Sequence, residues 1–271
     1  MTEGILEDIK KREKSSHKYD NGHLLVVGGS EKYSGSPALN SLSAYRSGVD
    51  LVTTVSPKRS ADIVAGYSPS IITVPLGGGS ISPAHYEKIE KLLKNVDALV
   101  IGGGLGRENQ TNKTVIKIIE HTDIPAVIDA DAIRALADDA EVLKKDMVVT
   151  PHRREFEVLT DMEASKDNAE EAAQELGCTV LLKGKKDIIT DGDETHVNET
   201  GNEYMTVGGT GDTLAGIAGS LLAQKIEPFK AAYGAAWING KAGELAAEEK
   251  GVGLMPDDVL EKISEAIDGE N

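Results

Sequence analysis

Short runs of apolar, mostly β-branched residues recur along this chain, and glycine-rich or polar corners separate them from helical patterns. Seven such runs stand at residues 23–29, 51–56, 70–77, 97–103, 125–130, 146–150 and 179–184. Continuous apolar runs that alternate with helices are typical of strands buried on both faces of a parallel sheet. Because right-handed crossovers place helices on both sides of such a sheet, the pattern predicts a three-layer α/β/α fold with a mostly parallel central sheet.

The pattern changes after the seventh run. Residues 186–199 predict an antiparallel hairpin, because Asp191 and Gly192 supply a turn between two apolar stretches. Helical patterns follow at about 211–224, 228–248 and 256–267. Neither a repeat nor a low-complexity tract nor a Pro/Ser-rich linker interrupts the sequence, so we expect a single domain over residues 1–271.

Composition narrows the classes of function. The 271 residues include 45 Asp and Glu against 29 Lys and Arg, a formal net charge of −16, which argues against nucleic-acid or anionic-membrane partners. The single cysteine, Cys178, excludes an intrachain disulfide framework and thiolate-rich metal sites. Because we see no apolar leader and no apolar stretch long enough to span a membrane, we expect a cytoplasmic protein. A high-salt habitat is an alternative reason for the acidity.

A glycine cluster at residues 207–211 runs directly into a helix of small residues. Glycines let backbone N–H groups converge on an anion, and a helix N-terminus adds partial positive charge. Asp212 falls in the first helical turn, where a carboxylate suits a base that takes a proton from a hydroxyl attacking phosphorus. A simple helix cap is the alternative on these residues alone. The absence of a GxxxxGK[ST] stretch excludes the P-loop type of phosphate site.

Two further corners carry carboxylates at predicted strand ends, where ligands of such sheets bind. Asp129 and Asp131 close the fifth run, and we expect Asp131 to cap the following helix. Asp129 is a weaker candidate for positioning Mg²⁺-bound water. The sixth run ends in Thr150-Pro151-His152, with Glu155 three residues further on.

Seven ordered motifs across residues 17–267 together resemble the ADP- or ATP-dependent NAD(P)H-hydrate dehydratases of the ribokinase-like superfamily. These motifs lie at residues 17–22, 27–37, 101–106, 128–132, 150–156, 182–184 and 208–216. The resemblance implies a ribokinase-like fold and nucleotide-driven dehydration of the S form of hydrated NAD(P)H. It also implies that a terminal phosphoryl group is transferred to the C6 hydroxyl and then eliminated as phosphate, with Asp212 as the base.

The same resemblance assigns residues to two ligands and a metal ion. It places these residues at the hydrated dinucleotide: Ser36, Gly104, Gly106, His152 and Asp212. It places these residues at the nucleotide: Lys183, Gly184, Lys185, Lys186, Asp187, Gly209, Thr210 and Gly211. Glu155 resembles an acidic residue that acts on Mg²⁺ through water, since Mg²⁺ keeps much of its hydration shell. The chain departs from the family pattern at Gly103, Asp187 and Glu203, and a carboxylate at residue 187 is expected to weaken nucleotide affinity.

The resemblance also implies Mg²⁺ as cofactor, ADP or ATP as co-substrate with ADP favoured, and a homo-oligomer such as a tetramer. Because 16 residues precede His17, we expect no fused epimerase domain and a separate epimerase protein. One alternative is a kinase of the same superfamily that acts on hydroxyethylthiazole or hydroxymethylpyrimidine. Another is a nucleotide sensor without catalysis. The corner at 150–152 and the loop at 33–37 favour the dehydratase, and the choice between NADH and NADPH hydrates stays open.

Overall fold

A single mixed sheet lies at the centre of the computed structural model, which describes Gly4 and residues 15–269. Within that range the sheet has nine strands in the order β3-β2-β1-β4-β5-β6-β7-β8-β9. The strands are β1 (His23–Val27), β2 (Leu51–Pro57), β3 (Ile72–Leu76), β4 (Ala98–Ile101), β5 (Ala126–Ile128), β6 (Met147–Val149), β7 (Thr179–Leu182), β8 (Asp187–Thr190) and β9 (Thr195–Asn198). All seven predicted apolar runs are strands.

Strand direction divides the sheet into two parts. Neighbours from β3 through β7 pair in parallel, whereas β8 pairs antiparallel with both β7 and β9. The hairpin between β8 and β9 turns at residues 191–194, where the Asp191 carboxylate accepts N–H groups of Asp193 at 3.0 Å and Glu194 at 2.8 Å. A short side chain that binds backbone two and three residues ahead stabilises such a turn. The predicted hairpin is confirmed.

Helices connect most of the strands, and three more helices follow the last strand. They are α1 (Gly35–Arg46), α2 (Lys58–Tyr67), α3 (Tyr86–Leu93), α4 (Asn109–Glu120), α5 (Asp131–Ala135), α6 (Arg153–Thr160), α7 (Lys166–Leu176), α8 (Thr210–Ala223), α9 (Pro228–Lys250) and α10 (Pro256–Asp268). The last three match the three helical patterns predicted after the hairpin. Among the described residues, none of the helices combines the length and apolar character needed to cross a membrane.

The apolar core consists of two clusters on opposite faces of the sheet. In β1, Leu24 and Val26 belong to the cluster that contains α8, α9 and α10, whereas Leu25 and Val27 belong to the cluster that contains α4 and α5. Successive side chains of a strand point to opposite faces, so strands covered on both sides are apolar throughout. The arrangement confirms the predicted three layers, α/β/α, with a mostly parallel sheet.

The carboxyl ends of the parallel strands bring distant segments together at one edge of the sheet. Turns follow β1, β4, β5, β6 and β7 at that edge. A bridge between His152 and Lys183 extends the pairing of β6 and β7 into their turns. The N-terminus of α8 lies at the same edge, with Gly211 beside the side chain of Lys183. Most of the motifs from the sequence therefore meet in one region.

Candidate active site

The glycine cluster forms a tight turn into α8, and we call residues 208–211 the anion loop. Gly209 has φ +112°, and a Cβ there would lie 2.7 Å from Cγ of Pro256 and 2.8 Å from Cδ1 of Leu39. Both the backbone conformation and the space therefore require glycine. The hydroxyl of Thr210 donates to the Met205 carbonyl at 2.9 Å. These contacts fix the turn that presents the free N–H groups of the helix start.

Two buried asparagines, which the sequence analysis did not single out, orient the first turn of α8. Asn239 donates to the Thr210 carbonyl at 3.2 Å and accepts from the Thr213 hydroxyl at 2.7 Å. Asn40 donates to the Asp212 carbonyl at 2.7 Å. A buried amide must find partners, so an asparagine within a small-residue helix was the available sequence signal. Only the fold shows which backbone groups each one binds.

The Asp212 carboxylate is enclosed at the start of α8. The Ser36 hydroxyl forms a hydrogen bond with it, and a Cβ on Gly103 would come within 2.8 Å of its Oδ1 atom. Burial raises the pKa of Asp212 to about 7, and the charge of Asp129 adds to the rise while Ser36 and Lys183 oppose it. A carboxylate with a pKa near neutrality suits general-base chemistry.

A buried ion pair interacts with the Asp212 carboxylate. The Lys183 ammonium donates to Oδ1 of Asp129 at 2.9 Å, and the Thr150 hydroxyl donates to the same oxygen at 2.7 Å. Burial by itself disfavours the ammonium, but the Asp129 carboxylate outweighs this, so the pKa of Lys183 lies above its ordinary value. The Oδ1 atom of Asp129 is therefore engaged by a protein cation and a hydroxyl, and a role of Asp129 in positioning Mg²⁺-bound water stays a prediction.

A pocket of about 810 Å³ opens in front of the anion loop, and we call it the anion-loop pocket. Most of the predicted nucleotide residues line it, namely Lys183, Gly184, Lys185, Lys186, Asp187, Thr210 and Gly211. Gly209 lies behind this lining, in the turn that starts α8. Asn239 and Gly240 of α9 complete one wall. The structure thus brings these residues together, and their contact with nucleotide stays a prediction.

A second pocket has a volume of about 960 Å³, and we call it the Tyr33 pocket. The predicted substrate residues Ser36, Gly104 and Gly106 line it. Asp212 lines neither pocket, and its predicted contact with substrate stays a prediction. The predicted cap by Asp131 is wrong, because α5 starts at Asp131 itself and the carboxylate instead accepts the Gly106 N–H at 2.9 Å. That bond secures the glycine loop against α5 and leaves the backbone of Gly104 facing the pocket.

Asp187, one of the departures from the family pattern, is bound to its own turn. Its Oδ1 atom accepts the Gly184 N–H at 3.1 Å and its Oδ2 atom accepts the Asn198 amide at 3.1 Å. Burial raises the pKa of Asp187, while these two bonds and Lys183 oppose the rise. The Asp187 carboxylate therefore binds the backbone N–H of Gly184, a residue that lines the anion-loop pocket. Lys186 is paired nearby with Glu199.

His152 and Glu155 cap α6 reciprocally. The Glu155 N–H donates to Nδ1 of His152 at 3.1 Å, and the His152 N–H donates to Glu155 Oε2 at 3.0 Å. This capping box gives both residues a structural role. His152 lines neither of the two pockets described above, although its backbone is bridged to Lys183. Its predicted contact with substrate and the predicted action of Glu155 on Mg²⁺ through water stay predictions.

The donor groups bear on how Mg²⁺ could bind. Over residues 15–269, no three His, Cys, Asp or Glu side chains converge in a way that could hold a metal ion. The carboxylates of Asp129 and Glu155 already have partners in the protein. Mg²⁺ commonly binds through substrate phosphates and retained water. The residues present therefore fit an ion that accompanies a nucleotide better than a resident ion.

Comparison with known proteins agrees with this geometry. A chain of Hyperthermus butylicus, a bifunctional NAD(P)H-hydrate repair enzyme Nnr, is 44% identical over 273 residues, which cover 96% of this chain and 51% of that protein. The chain thus spans about half the length of that relative. The ADP-dependent (S)-NAD(P)H-hydrate dehydratase of Cenarchaeum symbiosum is 39% identical over 270 residues, covering 95% of this chain and 93% of the relative.

A solved structure supports the fold, and a family profile supports the assignment. The ADP/ATP-dependent NAD(P)H-hydrate dehydratase from Bacillus subtilis superposes with a TM-score of 0.81 at 24% identity, covering 98% of this chain and 97% of that one. The predicted ribokinase-like fold is confirmed. The profile of the NAD(P)H-hydrate dehydratases matches residues 24–265. With its anion loop, enclosed aspartate and paired pockets, the chain belongs to the NAD(P)H-hydrate dehydratase family.

Proposed function

We propose that this chain dehydrates the S form of hydrated NAD(P)H in an ADP-dependent reaction that yields NAD(P)H, AMP and phosphate. Family membership supports the reaction, and the name of the Cenarchaeum relative supports ADP as the phosphoryl donor. The observation that carries the proposal is the position of Asp212. Its neighbour Gly211 lines the anion-loop pocket, while its hydrogen-bond partner Ser36 lines the Tyr33 pocket.

In this proposal each of the two pockets binds one of the two reactants. ADP binds in the anion-loop pocket with its terminal phosphate at the anion loop, and the hydrated nicotinamide binds in the Tyr33 pocket. Asp212 accepts the proton of the C6 hydroxyl. The hydroxyl oxygen then forms a bond to the terminal phosphorus of ADP, while the bond from that phosphorus to the AMP oxygen breaks. The C6–O bond then breaks with phosphate as leaving group, and loss of a proton from C5 completes the double bond of NAD(P)H.

Other residues of the site stabilise the charge that moves during transfer. Backbone N–H groups at the start of α8 and the Lys183 ammonium face the transferring phosphoryl group, and preorganised donors of this kind lower the barrier. Mg²⁺ entering with the nucleotide would further neutralise its phosphates. Asn40 and Asn239 hold the helix start in place through their bonds to the carbonyls of Asp212 and Thr210.

Three further properties belong to the same proposal. We propose that Mg²⁺ accompanies the nucleotide, that the protein is a cytoplasmic homo-oligomer such as a tetramer, and that an epimerase activity supplies the S form. Light scattering on the purified protein tests the oligomer, and omission of Mg²⁺ tests the ion. The kinase alternative is not favoured, because the family profile and the named relatives are dehydratases.

The direct test follows the near-ultraviolet absorbance of restored NADH. Purified protein is mixed with hydrated NADH, Mg²⁺ and either ADP, ATP or no nucleotide. We expect recovery with ADP and none without nucleotide. Folded protein that restores no NADH with either nucleotide would contradict the proposal. That result would favour the kinase that acts on hydroxyethylthiazole or hydroxymethylpyrimidine.

Replacement of the base tests the mechanism. Asp212→Asn should lower kcat by about 10²-fold or more, the usual contribution of a general base, while circular dichroism and ADP binding stay close to wild type. In the wild type, turnover should rise as the pH increases through about 7, because Asp212 must be ionised to accept the proton. Near-normal turnover of the variant would rule out this role.

A further inference from the structure

Asp129 lies outside the linings of both pockets, and its carboxylate is buried with 3% of the residue exposed. Both of its hydrogen bonds converge on one oxygen, Oδ1, which accepts from the Lys183 ammonium and the Thr150 hydroxyl. The Lys183 side chain is 20% exposed. A buried charge is costly unless it is paired, so each member of this pair depends on the other.

Lys183 has more than one anionic neighbour. The carboxylates that interact with it come from four elements: Asp129 at the end of β5, Glu155 in α6, Asp187 in β8 and Asp212 in α8. The ammonium nevertheless binds Asp129, and its Nζ atom lies 3.4 Å from the position that a Cβ on Gly211 would take. The cation is thus beside the anion loop and is not hydrogen-bonded to the base.

We propose that Asp129 is a positioning residue that holds the Lys183 ammonium at the anion loop and keeps it from pairing with Asp212. This inference rests on the proposed function. The backbone fixes the start of the lysine side chain, since the Lys183 N–H donates to the Pro151 carbonyl at 2.8 Å. The Asp129 carboxylate fixes its end. The site therefore has its cation in place before a nucleotide arrives, which is the preorganisation that phosphoryl transfer requires.

The position of Asp129 also keeps Asp212 an effective proton acceptor. An ammonium that paired with Asp212 would favour the ionised carboxylate and make it a weaker proton acceptor. Asp129 prevents this in two ways, because it engages the cation and places a second negative charge near Asp212. The other charged group that acts on Asp212 is Asp131, which is held by the Gly106 N–H. The Ser36 hydroxyl supplies a hydrogen bond from α1.

The test compares Asp129→Asn with Thr150→Val. Asp129→Asn removes the charge and keeps the shape, so we expect kcat to fall about tenfold or more, the acid limb of the pH–rate profile to move to lower pH, and ADP to bind more weakly. Thr150→Val removes the other bond to the same oxygen and leaves the ion pair. It should lower thermal stability without moving the acid limb.

Carboxyl NMR of Asp212, observed in protein labelled at aspartate with ¹³C, gives a readout that needs no hydrated substrate. We expect Asp212 to titrate at lower pH in Asp129→Asn than in the wild type. If wild-type protein restores no NADH but this shift is seen, the proposed function fails and the positioning role stands. If Asp212 titrates identically in both proteins, or if Thr150→Val moves the acid limb as far as Asp129→Asn does, the role of Asp129 is structural. Should Asp129→Asn fail to fold, Asp129→Glu keeps the charge but displaces the carboxylate, and Asp212 should again titrate below the wild type because the ammonium is no longer held at the anion loop.

Discussion

Individual charged side chains in the site are held by specific partners, and the partners of Asp187 bear on how well the neighbouring pocket can bind an anion. A carboxylate beside an anion pocket repels the ligand, yet this one is held by Gly184 and Asn198 and stabilises the turn that carries Lys183. The carboxylate at residue 187 predicts a weakened affinity for nucleotide because of its charge. The structure adds a second reason for that prediction, since the Gly184 N–H binds Asp187 and is not free for a phosphate.

Replacing this carboxylate by an amide should strengthen nucleotide binding. In Asp187→Asn the side-chain oxygen can still accept the Gly184 N–H, while the negative charge is lost. We expect the Kd for ADP, measured by calorimetry without hydrated substrate, to fall about fivefold, the effect of one charge several ångströms away in a partly hydrated pocket. The Kd for ATP should fall further, because ATP carries more charge.

Asp193→Asn is the matched control for that variant. It removes the same charge from the exposed turn at the opposite end of the hairpin, and it should leave both affinities unchanged. Equal gains in the two variants would mean that net charge, not the position of Asp187, sets the affinity.

Among the elements, α8 packs closely against its neighbours through glycine. It carries the anion loop at its start, and its two later glycines face other elements at close range. A Cβ on Gly216 would lie 2.2 Å from the Asn40 carbonyl of α1, and one on Gly219 would lie 2.2 Å from Cγ2 of Val100 in β4. The glycines therefore let the helix approach α1 and the sheet, and this approach places Asn40 against the Asp212 carbonyl.

A methyl group at that contact should force the two helices apart. Gly216→Ala is expected to destabilise the protein by about 1–3 kcal/mol, the usual cost of overpacking, and to lower kcat through the displaced Asn40. Chemical denaturation and the dehydratase assay measure the two effects.

Gly66→Ala serves as the control for this helix variant. Gly66 lies in α2, and apart from its chain neighbours and the adjacent backbone of α2 no atom lies within 4 Å of the position that a methyl group would take there. The substitution should leave stability unchanged or raise it slightly, since alanine favours helix. A Gly216→Ala protein as stable as Gly66→Ala would contradict the close-packing argument.

At the scale of the whole molecule, the net charge of −16 acts on stability more than on the fold. Many of the ion pairs in the described part of the chain join neighbours on one helix, such as Lys58 with Asp62 and Arg153 with Glu157. Exposed pairs of this kind contribute little. The excess of carboxylates therefore leaves a net repulsion that favours expansion of the chain.

Salt should reduce that repulsion. We expect the Tm in scanning calorimetry to rise as NaCl increases toward about 1 M, where the Debye length is about 3 Å. KCl is the control, because screening is the same for both salts. A rise with one salt alone would indicate specific ion binding, and a Tm that falls with both would show that the ion pairs outweigh the repulsion.

The sequence by itself determined the strands, the layers, the hairpin and the places where chemistry could occur. Apolar periodicity and glycine corners are local properties, so they can be read residue by residue. The ordered motifs also indicated the family, and they predicted that Asp212 is the base. These predictions did not need to know which strand ends are neighbours.

Only the tertiary structure decided which polar groups pair. Asp129 and Lys183 stand 54 residues apart, and Asn40 and Asp212 stand 172 apart. The sequence did not reveal the pairing of Asp129 with Lys183, it wrongly predicted a cap at Asp131, and it gave no role to either asparagine. A buried polar group binds whichever partner the fold brings within about 3 Å. That choice depends on the convergence of strand ends and helix starts in space, which no local pattern encodes.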